Sequence, residues 1–200
     1  MAGLPKATLV GIILCAAASA ASAAPDPALV SKCEACHGEA GEGPRLNGQP
    51  EAYLLQRFKA FADPTRNTPH ATFQMWQTST SVNDRTAEEI AHYFASQAPT
   101  PAAPGGTAAA EGERIYRQGA GPETPPCQQC HGAAGEGSGS VPRLAGQRAA
   151  YLESQMSAFM LGLRVSATMN KHAWRMSSDQ FKAISAYLAN DRPSQDGLRR

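Results

Sequence analysis

The sequence predicts an all-α molecule made of two small helical domains in tandem. Three observations predict it: a long internal duplication, apolar residues recurring at helical spacing, and a proline- and glycine-rich interruption midway. The stretch that starts at Cys33, CEACHGEAGEGPRLNGQPEAYL, returns from Cys127 as CQQCHGAAGEGSGSVPRLAGQRAAYL. Cys33, Cys36 and His37 match Cys127, Cys130 and His131 at an offset of 94 residues. Pro44-Arg45-Leu46, Gly48-Gln49 and Tyr53-Leu54 match Pro142-Arg143-Leu144, Gly146-Gln147 and Tyr151-Leu152 at 98, and Met75 and Tyr93 match Met169 and Tyr187 at 94 again. The second copy has therefore gained four residues in the Gly/Ser loop after its histidine and lost four between its tyrosine and its methionine.

The chain opens as an export signal. Lys6 precedes an apolar run from Ala7 to Ala18, and an Ala-Ser-Ala site ends at Ala23. The apolar run is shorter than the roughly 20 residues a membrane span requires, so residues 1–23 are expected to be a cleaved signal peptide and the mature chain periplasmic. Cys15 lies inside that segment, behind Leu14 where a lipoprotein would carry a small residue. Domain 1 is expected at 24–98, a Pro/Gly linker at 99–106, domain 2 at 107–192 and a short tail at 193–200.

Helices are expected where apolar residues recur on one face. PEAYLLQRFKAFAD carries Tyr53, Leu54, Phe58 and Phe61, and its copy RAAYLESQMSAFML carries Tyr151, Leu152, Met156 and Phe159. TAEEIAHYFASQ places Ile90, Tyr93 and Phe94 together, and SSDQFKAISAYLAN does the same with Phe181, Ile184 and Leu188 after a Ser/Asp cap region. AAAEGERIYRQG adds a helix before the second cysteine motif. No segment alternates with a period of two.

The formal charge of +1 falls to zero once Lys6 is removed, which leaves 17 basic and 17 acidic residues and no general affinity for nucleic acid. The charge is uneven: residues 25–104 sum to −3 and residues 105–200 to +3. Such a molecule is suited to oriented docking with charged redox proteins.

Four cysteines in an exported chain would ordinarily mean two disulfides. Here each pair is spaced Cys-x-x-Cys and followed at once by His-Gly, the attachment signature of c-type haem. On a helical turn the two sulfurs can reach the two vinyl groups of one porphyrin edge, with the histidine beneath the ring. A four-cysteine zinc site would hold its pairs much closer in sequence, and a thioredoxin-like pair would need strands around it. The expected cofactors are two covalent haem c groups, on Cys33, Cys36 and His37 and on Cys127, Cys130 and His131. Each would also supply the apolar centre that a unit of 75–95 residues otherwise lacks.

Iron has a second axial position, and the register of the duplication selects Met75 and Met169, each 18 residues before its tyrosine. Met176 aligns with Val82 and is expected to pack in the core. His70 and His172 are the alternative ligands, without equivalents in the other copy. His92 is expected on the surface, and Trp76 and Trp174 as packing residues beside the haem crevices.

The pattern of Cys-x-x-Cys-His-Gly, Gly-rich loop, PRLNGQPEAYL or PRLAGQRAAYL, isolated Met and closing helix resembles the dihaem cytochrome c4 family across nearly all of the mature chain. The resemblance implies two class I cytochrome c folds about a pseudo-twofold axis. It implies single-electron carriage in the periplasm between respiratory partners such as a quinol-oxidising complex and a terminal oxidase, with peripheral membrane association in some members. It also implies that the Pro44 and Pro142 carbonyls accept the Nδ1 protons of His37 and His131. With His and Met on both sides of each iron no substrate site exists there, which argues against an enzyme. The alternatives are a subunit of a larger dehydrogenase, such as a flavin-dependent sulfide dehydrogenase, and a dihaem enzyme with an open haem.

Overall fold

In a computed structural model of the chain, residues 24–63, 71–104 and 107–189 are described. The expected signal peptide, His70 and the C-terminal tail lie outside them. The helices are α1 (Pro27–His37), α2 (Glu51–Ala62), α3 (Ala71–Ser81) and α4 (Asp84–Ser96), then α5 (Ala109–Gln118), α6 (Gln128–His131), α7 (Ala149–Met160), α8 (Ala167–Ala173) and α9 (Ser178–Leu188). The described residues form isolated bridges but no strand, so the all-α expectation holds.

Local chemistry explains the boundaries. Pro27 opens α1 where its missing N–H costs nothing, and the Asp26 carboxylate accepts from Ala28 N at 2.9 Å. Asn83 caps α4 through Thr86 N, and Ser177 with Gln180 forms a capping box on α9. Helices α1, α3 and α8 have no clear apolar period and are not legible as helices in the sequence. In α3 the hydroxyls of Thr78, Ser79, Thr80 and Ser81 donate to carbonyls one turn back in the same helix, so residues that usually favour turns are accommodated inside it.

Packing is organised half by half. Helix α2 lies against α3 and α4; α5 and α7 both lie against α9, and α8 against α7. The second half buries Ile115, Tyr116, Phe181 and Leu188 almost completely, in one cluster with Leu152, Phe159 and Met176. Met176 is thus a core residue, as its alignment with Val82 indicates. In the first half the buried apolar set is Val30, Ala87, Ile90, Ala91 and Phe94, and α2 has no fully buried residue.

The halves meet through their copies of one turn. Gly48 (φ 68°) and Gly146 (φ 79°) take the left-handed conformation that this turn demands, and their N–H groups donate to Phe94 O and Leu188 O at 2.9 and 2.8 Å. A side chain at Gly146 would also collide with the linker, since its Cβ would stand 1.8 Å from Thr100 O. The segment between the halves is therefore packed against the turn, while Thr100 Oγ1 donates to Glu39 Oε2 at 3.4 Å.

Candidate functional site

Each cysteine motif presents its residues differently. Cys33, Cys36 and His37 are the last turn of α1, a continuous eleven-residue helix. Cys127, Cys130 and His131 ride on α6, a single turn of four residues that begins just after Cys127. None of the four cysteines of the motifs is in a disulfide; Cys36 and Cys130 are exposed and Cys33 and Cys127 half-buried. Burial and the neighbouring Glu34 raise the Cys33 pKa, and burial pushes the Cys127 thiol up to about 11. Neither is a thiolate at neutral pH. Among the described residues no group of three or more His, Cys, Asp or Glu side chains converges as a metal site.

The histidines share one arrangement. His37 Nδ1 lies 2.8 Å from Pro44 O, and His131 Nδ1 lies 3.0 Å from Pro142 O. Since a carbonyl can only accept, Nδ1 carries the proton and Nε2 keeps its lone pair. Burial holds both imidazoles below the ordinary histidine pKa, against the pull of those carbonyls, and Arg148 lowers His37 further. Each ring is therefore neutral, oriented and able to donate Nε2 to a metal. A histidine with its second nitrogen fixed by a backbone carbonyl is the usual form of an iron or zinc ligand.

The loop after each histidine closes by different means. In the first half, Gly43 N donates to Cys36 O at 2.8 Å, and Arg148 of the second half donates to Gly43 O, Gly38 O and Glu39 O at 2.9, 2.7 and 3.1 Å. In the second half the four additional residues form a tight turn, with Ser138 and Val141 exchanging backbone bonds of 3.0 and 2.9 Å, and Gly137 N returns to His131 O at 2.8 Å.

Met75 lies half-buried in the middle of α3, and Met169 half-buried in the first turn of α8. Met169 packs against the same apolar cluster as Cys127, so the second half brings those two candidates to one core. Its backbone is fixed by Ser166 Oγ, which accepts from Met169 N at 3.4 Å, and by Asn170, whose amide donates to Arg164 O at 2.8 Å. His172 is half-buried with no hydrogen-bond partner at Nδ1. His92 is exposed and pairs with Glu51 at 3.0 Å, as a surface histidine. The polypeptide leaves Trp76 and Trp174 40 % and 74 % uncovered, and Trp76 stacks on the exposed Phe73.

These residues fit haem c. Paired protonated thiols, a neutral histidine with a free Nε2 and an α2 whose Leu54, Phe58 and Phe61 the polypeptide only half covers are what a covalently attached porphyrin requires. Comparisons with known proteins agree. The Cytochrome c family model matches residues 109–191. A cytochrome c4 of Pseudomonas aeruginosa is 33 % identical over 182 residues, covering 85 % of this chain and 89 % of that protein. The chain belongs to the dihaem cytochrome c4 family. The solved structure of the Acidithiobacillus ferrooxidans cytochrome c4 superposes with a TM-score of 0.74 at 35 % identity, over 80 % of this chain and 98 % of that one. The thiosulfate dehydrogenase electron acceptor of Thiomonas intermedia is 38 % identical over 200 residues, covering 93 % of this chain and 89 % of that protein. As a cytochrome c4 the chain is a dihaem electron carrier of helical c-type domains.

Residues that the sequence reading did not assign a role bind the halves of this cytochrome together. Gln49 and Gln147 are buried between them, Arg45 donates to Gly146 O at 2.9 Å, and Arg164 donates to Tyr53 Oη at 3.1 Å from beneath the Phe159 ring. The duplication carried a signal for the glutamines, because both copies keep Gly-Gln after Pro-Arg-Leu.

Proposed function

We propose that the protein is a periplasmic carrier in which His37 with Met75, and His131 with Met169, occupy the axial positions of two haems, leaving no site at iron for a substrate. Haem iron supplies one-electron chemistry between its ferric and ferrous states. The side chains bind and condition it. The sulfurs of Cys33 and Cys36, and of Cys127 and Cys130, would hold the porphyrins as thioethers. The Pro44 and Pro142 carbonyls orient the histidines and raise their basicity, and the methionine sulfurs favour the reduced state. The observation that carries this reading is the duplicated histidine–proline hydrogen bond, at 2.8 and 3.0 Å. The ferric protein is expected to show a methionine–iron charge-transfer band from both haems. Met75→Ala and Met169→Ala should each remove one of the two contributions, and an unchanged spectrum in either variant overturns that ligand.

The likeness to a thiosulfate dehydrogenase electron acceptor over nearly the whole chain favours a sulfur-compound dehydrogenase as donor. The acidic first half and basic second half then give donor and acceptor separate docking ends. Reduction by such a dehydrogenase should slow as ionic strength rises, whereas rapid turnover with peroxide would favour an enzyme instead.

A further inference from the structure

The two buried glutamines cross over between the halves. Gln147 Oε1 accepts from Arg45 N at 2.9 Å and Gln147 Nε2 donates to Arg45 O at 3.0 Å. Gln49 mirrors it: Oε1 accepts from Arg143 N at 3.0 Å and Nε2 donates to Arg143 O at 2.8 Å. The N–H groups so engaged belong to particular peptide units. The Pro44–Arg45 peptide offers its carbonyl to His37 Nδ1 and its N–H to Gln147; the Pro142–Arg143 peptide offers its carbonyl to His131 Nδ1 and its N–H to Gln49.

We propose that each glutamine is a positioning residue for the axial histidine of the opposite half, acting through the peptide unit between them. The proposal rests on the assignment of His37 and His131 as iron ligands. An amide whose N–H is engaged holds more negative charge on its oxygen, and hydrogen bonds in such a chain strengthen one another by about 10–30 %. The stronger acceptor draws the Nδ1 proton further from the ring, which makes Nε2 a better donor and favours ferric iron. With Gln147 and Gln49 at 4 % and 6 % exposure, water does not replace these bonds while the halves are docked. Parting the halves would therefore raise both potentials.

The test is a crossed pair of variants, Gln147→Met and Gln49→Met, in the ferrous holoprotein labelled with 15N-histidine. Gln147→Met is expected to shift the His37 Nδ1 proton upfield, speed its exchange with solvent and raise the potential of the first haem, leaving His131 unmoved. Gln49→Met should do the reverse. A glutamine that only glues the interface would move both histidines in both variants, and a local packing role would move the histidine of its own half; either pattern overturns the proposal, as does no movement. Gln147→Glu keeps the acceptor for Arg45 N as a carboxylate and should shift the His37 proton downfield, so it decides the matter alone if the methionine variants do not fold. Ring protons of His37 or His131 without the large upfield shift of an iron-bound imidazole would sink the ligand assignment and the coupling with it. Shifted rings without the crossed pattern would sink the coupling only.

Discussion

In the second half α5 lies along α9 so closely that Gly112 faces the Ala183 carbonyl, and Ile115, Tyr116, Phe181 and Leu188 close a core around that seam. In the first half no described helix fills the place of α5, and α2, the copy of α7, buries no residue completely. Among the described residues the second half thus shows the larger polypeptide core. The glutamines hold the halves reciprocally, Gln147 on Arg45 and Gln49 on Arg143, but Arg148 closes the loop of the first half and has no counterpart that does the same for the second. Through Arg148 the first half leans on the second more than the second leans on it.

The largest test of that asymmetry is Gly112→Ala. A Cβ there would stand 1.9 Å from Ala183 O and 2.9 Å from Tyr187 Cβ, so α5 must leave α9. Overpacking costs about 1–3 kcal/mol and occasionally more; contact with backbone puts this variant at the upper end. Denaturant unfolding of the holoprotein, followed separately at each haem, should show the second transition lowered and the first drawn down with it. A first transition that stays in place would break the comparison, because the first half would then stand unaided.

How much of this was legible follows from the kind of interaction involved. The helices with an apolar period could be read from the residues themselves, and the Pro44 and Pro142 acceptors followed from the family resemblance, which the hydrogen bonds to His37 and His131 match. Helix α3 could not, because its Thr- and Ser-rich end reads as a turn, whereas the hydroxyls fold back on the helix carbonyls and the helix runs on to Ser81. The role of Arg148 was invisible for another reason: its counterpart is Pro50, which has no side-chain donor, and a contact made by one copy leaves no trace in the duplication.

Arg148→Ala is accordingly the next sharpest probe. Three carbonyls of the first half lose a charged donor; a hydrogen bond to a charged group contributes about 1.5–3 kcal/mol, and one partly exposed guanidinium shared among three neutral acceptors stays near the value of a single such bond. The expected result is a loss of about 2 kcal/mol in the transition reported by the first haem, with faster amide exchange at Gly43 and none at Gly137, whose loop closes on itself. Arg148→Lys should recover little of it, since a single ammonium cannot span the carbonyls of Gly38, Glu39 and Gly43 as the guanidinium fork does. Equal losses in both halves would mean that Arg148 supports the interface generally.

The smallest expected effect concerns something the first half has and the second lacks. Glu51 on α2 and His92 on α4 form an exposed pair at 3.0 Å, where the second half carries Ala149 and Ala186. If this pair compensated for the thin core, Glu51→Ala with His92→Ala would cost more than a surface change. Exposed ion pairs contribute about 0–1 kcal/mol and weaken in salt, and alanine is the better helix former at both positions by up to about 0.7 kcal/mol each. The two effects oppose, so the double variant should unfold within about 0.5 kcal/mol of the parent protein, unchanged by salt. A loss above about 1 kcal/mol would move the first half's support from its partner domain to its own surface, and the borrowed contacts would no longer explain why it holds together.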